Sequence, residues 1–116
     1  MAVPDYQTFM LPLLKAAAGS DEHRLSEVIE IIAAQMRLTD DDREELLPSG
    51  TQTKLVNRVS WAKTYLTKAA LLESVGHGRF RITARGREVL NGNPPSINAA
   101  FLTRFPEFRE FRALAC

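Results

Sequence analysis

Residues 54–87 read KLVNRVSWAKTYLTKAALLESVGHGRFRITARGR. Apolar residues recur there every three or four positions, which is typical of an amphipathic helix, and we expect this helix to run from about residue 53 to residue 72. The face predicted to be buried comprises Leu55, Val59, Ala62, Leu66, Ala69 and Ala70. Residues 72–75 and 79–83 then flank a Gly-His-Gly turn, as the two strands of a β-hairpin do.

A helix followed directly by a hairpin is the arrangement of recognition helix and wing in winged-helix domains. We therefore predict a fold that is mainly α with a small β-hairpin, a winged helix-turn-helix. Helix 53–72 would enter the major groove of double-stranded DNA, and hairpin 72–83 would be the wing.

The charges are unevenly distributed along the chain. Residues 54–87 carry eight Lys or Arg and one acid, Glu73, a net charge of +7, whereas residues 1–53 have a net charge of −6. Residues 88–116 are neutral overall, so the 116-residue chain has a formal net charge of only +1. A concentrated positive block of this kind favours binding to a phosphate backbone.

Two further helices and a strand are predicted in the N-terminal half. A stripe of apolar residues predicts a helix over residues 5–18, which Pro12 would kink or split. Residues 23–25 would form a short edge strand, and Ser26 would be the N-cap of the next helix. The residues of that helix expected to face inward are Val28, Ile29, Ile31, Ile32 and Met36.

The acidic run at residues 40–42 follows Thr39 and predicts the start of a third helix. Thr39 would be its N-cap, and the carboxylates would lie in the first turn, where the helix dipole favours negative charge. We prefer this interpretation to a metal site. Leu46 and Leu47 would close the helix, and a last short helix would begin after its cap, Thr83.

No enzyme motif is recognisable in the sequence. Residues 52–54, Gln-Thr-Lys, resemble the Gln-x-Lys end of some nuclease sites, but they enter a helix, whereas a magnesium site needs a strand beside an upstream Asp. The only cysteine, Cys116, has no partner for a disulfide or a zinc site. His77 could share a metal only with His23. We expect no catalytic residue and no cofactor for this domain.

The chain is predicted to comprise a winged-helix domain, residues 1–92, and a linker with a Phe-rich tail, residues 93–116. The tail is too apolar to stay unpacked, because it contains Phe101, Phe105, Phe108 and Phe111. The sequence leaves open whether these rings pack on this domain, on a second copy or on another domain. No apolar stretch approaches the roughly 20 residues needed to cross a bilayer, so we expect no membrane partner. The single cysteine fits a reducing compartment, and we therefore expect a cytoplasmic protein.

The candidate DNA-binding residues lie on the exposed side of the helix and on the hairpin. Asn and Arg side chains can read adenine and guanine bidentately, and Gln and Thr can add polar contacts. The predicted base-reading residues are Gln52, Thr53, Asn57 and Arg58. The predicted phosphate contacts are Lys54, Lys63, Lys68, Arg79, Arg81 and Arg85. Two roles stay open: Trp61 would stack on DNA or cover a junction within the protein, and His77 would touch DNA or only occupy the turn.

Several segments resemble the N-terminal domain of Mrr-type restriction proteins. Within residues 54–73 the pattern N-R-x-x-W-A-x-x-x-L-x-x-A-x-L is similar to a helix of that domain, and residues 79–86, RFRITARG, resemble its wing and following helix. Residues 105–111, FPEFREF, resemble the segment just before that family's catalytic domain, and residues 3–6, VPDY, match its opening. The resemblance covers nearly the whole chain.

The resemblance implies a winged-helix DNA-binding domain of a type IV, modification-dependent restriction endonuclease. Such enzymes cut DNA that carries methylated bases, through a C-terminal PD-(D/E)xK-type nuclease domain that uses Mg2+. The sequence contains no such nuclease domain, so no catalytic residue is carried over. The implied partners are double-stranded DNA, methylated or not, and the protein's own C-terminal nuclease domain.

Two other functions remain open. A standalone winged-helix transcriptional regulator would be a homodimer on a palindromic operator, with the Phe-rich tail as the candidate dimer contact. A winged-helix protein–protein interaction module would bind an acidic partner, or would bind a nuclease domain through its own acidic half. Salt-sensitive binding to a protein but not to duplex DNA would favour the interaction module.

Overall fold

The structure, a computed structural model, describes residues 3–19 and 22–115 and consists mainly of helices with one small β-sheet. The elements are α1 (Met10–Ala16), β1 (His23–Arg24), α2 (Leu25–Gln35), α3 (Asp40–Glu44), α4 (Lys54–Lys68), β2 (Leu72–Gly76), β3 (Arg79–Ile82), α5 (Ala84–Asn91), α6 (Ala99–Leu102) and α7 (Pro106–Ala115). The predicted class, mainly α with a β-hairpin, is confirmed. Cys116 lies outside the described residues. None of the helices in the described ranges is long and apolar enough to cross a membrane.

The three strands form one antiparallel sheet in the order β1-β3-β2. Strands β2 and β3 are the predicted hairpin, and its turn uses Gly78 at a φ of 71°, a left-handed conformation that glycine adopts at no steric cost. The register shifts between Ser74 and Gly76, which leaves Val75 as a bulge. The predicted edge strand is β1, and it pairs with β3 through His23 opposite Phe80.

Helix α1 is shorter than the predicted helix over residues 5–18. Residues 6–9 form turns instead, and α-helical hydrogen bonding starts where Leu13 N donates to Phe9 O at 2.9 Å. Pro12 therefore lies in the first turn of α1, where its missing N–H removes no helical hydrogen bond, and it neither kinks nor splits a longer helix. The predicted apolar stripe is confirmed, since the fully buried residues there are Phe9, Met10, Leu13, Leu14 and Ala17.

Helix α2 begins before the predicted N-cap, Ser26. Its N-cap is Arg24, because Leu25 N donates to Gly78 O of the hairpin turn at 2.9 Å and β1 runs directly into the helix. Ile31 is 48 % exposed, so its predicted inward position was wrong. It lies off the buried face at a helical spacing of 100° per residue. That face comprises Val28, Ile29, Ile32 and Ala33, with Met36 partly buried beyond them.

Helix α3 starts as predicted. Thr39 Oγ1 accepts a hydrogen bond from Asp42 N, and Asp42 Oδ2 accepts one from Thr39 N, both at 3.0 Å. The backbone hydrogen bond from Thr39 holds the pKa of the Asp42 carboxyl below its ordinary value. The helix ends before Leu46 and Leu47, which were expected to close it. That prediction was wrong because Leu46 leaves the helix to form an isolated β-bridge with Thr53.

Helix α4 ends at Lys68, four residues before its predicted end. There Leu71 N donates to Leu66 O at 2.9 Å, and Ala70 has a φ of 65°. The chain therefore leaves the helix through a left-handed residue, a common helix ending. The predicted buried face is confirmed for Leu55, Val59, Ala62, Leu66 and Ala69, whereas Ala70 is only half-buried.

The C-terminal segment packs on the same hydrophobic core as the preceding helices. Phe108 is fully buried, and its ring centroid lies 5.5 Å from that of Tyr65 on α4. Ala99 N donates to Gln7 Oε1 at 2.9 Å, which ties α6 to the N-terminal turns. At least part of the Phe-rich tail therefore packs on this chain itself, and its other rings are half-buried: Phe101, Phe105 and Phe111.

Candidate nucleic-acid interface

Three of the predicted base-reading residues form one hydrogen-bonded chain at the N-terminal end of α4. Asn57 Nδ2 donates to Gln52 Oε1 at 3.3 Å, and Arg58 Nη1 donates to Asn57 Oδ1 at 2.6 Å. All three side chains are half-buried. Because both ends of the Asn57 amide have partners within the protein, this side chain could read adenine bidentately only by exchanging them.

Thr53 and Lys54 have structural partners at the start of α4. Thr53 is the N-cap, and its Oγ1 accepts a hydrogen bond from Val56 N at 3.2 Å. The hydroxyl proton of Thr53 can still be donated. Lys54 Nζ lies 2.7 Å from Glu45 Oε2, so a residue of the acidic half balances its charge. Lys54 is therefore a weaker candidate for phosphate binding than the charge count indicated.

Lys63 and Lys68 lie farther along α4 and face different neighbouring elements. Lys63 Nζ lies 5.9 Å from the ring centroid of Phe80 in β3, on the side of the sheet. Lys68 Nζ lies 5.5 Å from the ring centroid of Phe111, on the side of α7. Neither lysine has a carboxylate partner among the described residues, so both ammonium groups remain available to phosphates.

Trp61 is the outer end of an aromatic cluster. Its ring meets Tyr65 edge-on, with centroids 6.3 Å apart, and Tyr65 in turn lies 4.8 Å from Tyr6. Burial, with a hydrogen bond to Tyr65, raises the pKa of Tyr6 to about 12. The side chain of Trp61 is nevertheless 49 % exposed. It both covers its neighbours and presents a surface on which a base or sugar could stack.

The outward face of the hairpin carries the predicted arginines. Arg81 Nε donates to Glu73, which lies directly opposite on β2. Arg79 Nη1 lies 3.7 Å from Glu22 Oε1, and both side chains are about half exposed. His77 is exposed in the turn between the strands. The hairpin is therefore basic, but both arginines already have acidic neighbours.

Strand β1 adds Arg24 to this face, a residue that sequence reasoning missed. Arg24 lies opposite Arg79 in the sheet register, so both side chains project to the same face. Together with Ser26 and His77 they line a cleft of about 410 Å3 beside the turn. The predicted edge strand was an available signal, but nothing in the local sequence showed that it pairs with β3.

Arg85, another predicted phosphate contact, joins the end of α4 to α7. Its Nη1 donates to Ala69 O at 3.0 Å and to Glu107 Oε1 at 2.9 Å. The hydrogen bond from Arg85 holds the pKa of the Glu107 carboxyl below its ordinary value. Thr83, confirmed as the cap of α5, fixes the position of Arg85 in the first turn. This arginine contributes to packing between helices before any ligand is considered.

The structure thus brings three predicted residues together at the N-terminal end of α4 and two on the hairpin, and it lowers the effective charge of the basic stretch. Three acids from outside residues 54–87 lie against its cations: Glu22, Glu45 and Glu107. In residues 54–87 and β1, the basic residues with no carboxylate partner in the described chain are Arg24, Arg58, Lys63, Lys68 and Arg87. The described ranges contain no group of His, Cys, Asp and Glu that could hold a metal ion.

Comparison with known proteins identifies the family to which the chain belongs. A family model for the Mrr N-terminal domain matches residues 6–92, which is most of the chain and includes α4 and the hairpin. The chain belongs to the Mrr N-terminal domain family. The chain is 32 % identical over 95 residues to the type IV methyl-directed restriction enzyme EcoKMrr of Escherichia coli (strain K12). The match covers 81 % of the chain but only 31 % of the length of EcoKMrr. No solved structure matches the chain.

Proposed function

We propose that this chain is a winged-helix domain that binds double-stranded DNA and serves as the target-recognition part of a modification-dependent restriction endonuclease. The observation that carries the proposal is the sheet order β1-β3-β2 with α4 immediately before the hairpin. Such a helix beside a hairpin fits a recognition helix with its wing. Membership of the Mrr N-terminal domain family and the similarity to EcoKMrr support the restriction role.

In this proposal the chain binds DNA, and catalysis belongs to a C-terminal nuclease domain of the whole protein. The residues described here offer no metal-holding cluster, so a magnesium-dependent cleavage step would have to take place on that other domain. The partners proposed for the chain are double-stranded DNA, methylated or not, and its own nuclease domain.

Base reading is assigned to the N-terminal end of α4. The chain of hydrogen bonds from Gln52 through Asn57 to Arg58 holds these side chains in defined positions before DNA arrives. A base edge with a matching donor and acceptor could replace Gln52 and Arg58 as partners of the Asn57 amide. A mismatched base would leave part of this polar network unpaired, which costs free energy and would provide discrimination.

Phosphate binding is assigned first to cations without acidic partners and second to the hairpin. Lys63 and Lys68 are the strongest candidates on α4, because neither is paired with a carboxylate in the described chain. Arg24 and Arg79 would contact phosphates from the outward face of the sheet. Arg79 and Arg81 would exchange a carboxylate for a phosphate, so their net contribution is smaller.

The proposal is tested by fluorescence anisotropy of the chain with a labelled duplex, methylated and unmethylated, at low and at physiological salt. Salt-dependent binding to both duplexes is expected. A difference between the methylated and unmethylated duplex would place modification sensing in this domain. No binding even at low salt would contradict the proposal and would favour the protein–protein interaction module.

A matched pair of variants makes this test specific. Lys63→Ala removes a cation from the proposed interface, and Lys15→Ala removes one from α1, in the acidic half of the chain. Lys63→Ala should weaken binding to any duplex, whereas Lys15→Ala should leave it unchanged. Equal weakening by both variants would mean that only the net charge matters and that α4 is not the interface.

A further inference from the structure

A second cleft lies away from α4 and the hairpin, and of the predicted DNA-binding residues only Arg85 lines it. It has a volume of about 610 Å3 and lies between α5, the Pro94-Pro95 segment and α6. This volume is within the range of about 300–1,000 Å3 that is typical of small-molecule sites. Its walls combine rings, prolines and charged groups, which is the composition of a site that orients a partly polar ligand.

Two aromatic rings in this cleft are each accompanied by a guanidinium group. Arg104 Cζ lies 3.7 Å from the ring centroid of Phe101, and Arg85 Cζ lies 5.0 Å from that of Phe105. The centroids of Phe101 and Phe105 are 6.5 Å apart. Both rings are only half-buried, so flat apolar and cationic surfaces are exposed side by side. Such surfaces bind planar aromatic ligands by stacking and anions by charge.

Glu88 adds a hydrogen-bond acceptor to the same cleft. Its side chain is exposed and makes no ion pair within the described residues. Arg104 has no carboxylate partner in the described chain. Arg85 is paired with Glu107, so it would bind an anion by exchanging that carboxylate. A carboxylate beside a stacking surface can accept hydrogen bonds from an exocyclic amino group of a base, as Glu and Asp do with cytosine.

We propose that the cleft between α5 and α6 binds a nucleotide, with its base stacked on Phe105 and on the Arg104–Phe101 pair, its phosphate held by Arg85 and Arg104, and an exocyclic amino group bound by Glu88. The cleft therefore prefers adenine and cytosine over thymine. The nucleotide is either free in solution or part of an unpaired strand, since both present the same base and phosphate. The site goes beyond the proposed docking of α4 on a duplex and does not require it.

The first experiment is an NMR titration of the whole chain with dAMP, dCMP and dTMP. Backbone amide signals of residues 85–105 should shift, and dAMP and dCMP should bind at least about fivefold more tightly than dTMP, which corresponds to the lower limit for a good polar contact to a base. Shifts confined to α4 and the hairpin, or no shifts with any mononucleotide at millimolar concentration, would overturn the proposal.

Three variants assign the contacts. Phe105→Ala should weaken all three mononucleotides by about fivefold or more, because one stacking surface is lost. Arg104→Ala, at an exposed position, should do the same, and it keeps the test decisive if Phe105→Ala impairs folding. Glu88→Gln should abolish the preference for amino-bearing bases without weakening dTMP, a result that general destabilisation would not produce. Arg87→Ala is the charge-matched control on α5, outside the cleft, and should bind all three like the wild type.

A second titration distinguishes the source of the nucleotide and separates this site from the proposed function. A single-stranded oligonucleotide that shifts the signals of residues 85–105, and whose shifts are lost in Arg104→Ala, identifies an unpaired strand as the ligand. Response to mononucleotides alone identifies a free nucleotide. Duplex binding measured by anisotropy should be the same in Arg104→Ala as in the wild type, so either proposal can fail without the other.

Discussion

Gly86 lies where α5 passes close to the end of α4. A Cβ atom at this position would stand 2.3 Å from Leu71 O and 2.7 Å from Ile82 Cγ1. Leu71 O already accepts a hydrogen bond from Thr83 N at 3.0 Å, so the backbone there is held in place. Since neither the carbonyl nor α5 can yield without breaking contacts, only glycine fits.

Gly86→Ala should therefore lower the free energy of unfolding by about 1–3 kcal/mol, as overpacking of a filled site does. Chemical denaturation followed by circular dichroism measures this. Gly92→Ala is the control, because the nearest atom to its added Cβ would be 3.4 Å away and its φ is already helical. A change of less than about 1 kcal/mol is expected there. Equal effects at both positions would refute the close approach at Gly86.

If the chain binds DNA as proposed, Asn57 and Lys68 should differ in what they contribute to binding. Asn57→Ala removes the middle of a polar chain assigned to base reading, so it should alter preference between sequences by about 1–3 kcal/mol. Lys68→Ala should weaken all duplexes alike. Competition anisotropy with a selected duplex and a random one measures both effects. If the two variants changed the affinities for both duplexes equally, the assignment of Asn57 to base reading and of Lys68 to phosphate binding would be wrong.

At the scale of elements, α7 is held by one ion pair to α5 and by several ring contacts to α4. Arg85 bonds Glu107 at the start of α7, and Phe111 lies 5.8 Å from Tyr65. Because the folded-state pKa of Glu107 is lowered, the pairing stabilises α7 fully above the ordinary pKa of a glutamate, about 4.3. It is lost as the pH falls through the lowered pKa, when the carboxyl is protonated.

Hydrogen exchange of the α7 amides should accordingly be constant from neutral pH down to about 5 after correction for the intrinsic exchange rate, and should increase below the ordinary glutamate pKa. Glu107→Gln should raise the exchange of α7 at neutral pH and remove this dependence on acid. Glu110→Gln, at an exposed position of the same helix, is the matched control. Protection that stays the same in Glu107→Gln would show that the rings alone hold α7.

Elements whose signals are local could be predicted from the sequence. The apolar period of α4, the Gly-His-Gly turn and the caps Thr39 and Thr83 each depend on residues within a few positions, and all are confirmed. The errors lie where distant contacts decide. Leu46 leaves α3 to pair with Thr53, and α2 begins early because Leu25 bonds Gly78.

The same contrast between local signals and distant contacts applies to the candidate site. Sequence alone could place basic and amide side chains on α4 and the hairpin, because their positions follow from the predicted elements. The sequence could not predict which acids pair with these basic side chains. Glu22 and Glu107 are more than 20 residues away from their partners Arg79 and Arg85 along the chain. Arg24 was missed for the same reason, since the pairing of β1 with β3 spans more than 50 residues.

At the scale of the whole molecule, the charge is divided between an acidic N-terminal half and a basic stretch whose cations are partly balanced. If about five phosphates are neutralised, the slope of log K against log salt should be about −4 to −5. Lys63→Ala should reduce the magnitude of that slope by about 1, and Lys15→Ala should not change it. Anisotropy titrations at four or five salt concentrations measure the slopes. A slope near zero would mean that phosphates do not dominate the interface.

The turn of the hairpin is joined to the first residue of α2 by the hydrogen bond between Leu25 N and Gly78 O. Because of this hydrogen bond, the tip of the hairpin cannot move independently of α2. Its entropy is therefore already lost when the protein folds, and meeting a ligand would require little further ordering. The rate of association with a DNA groove would then depend on how often the two surfaces collide in the right orientation. It would not depend on the time that a loop needs to reach its bound conformation.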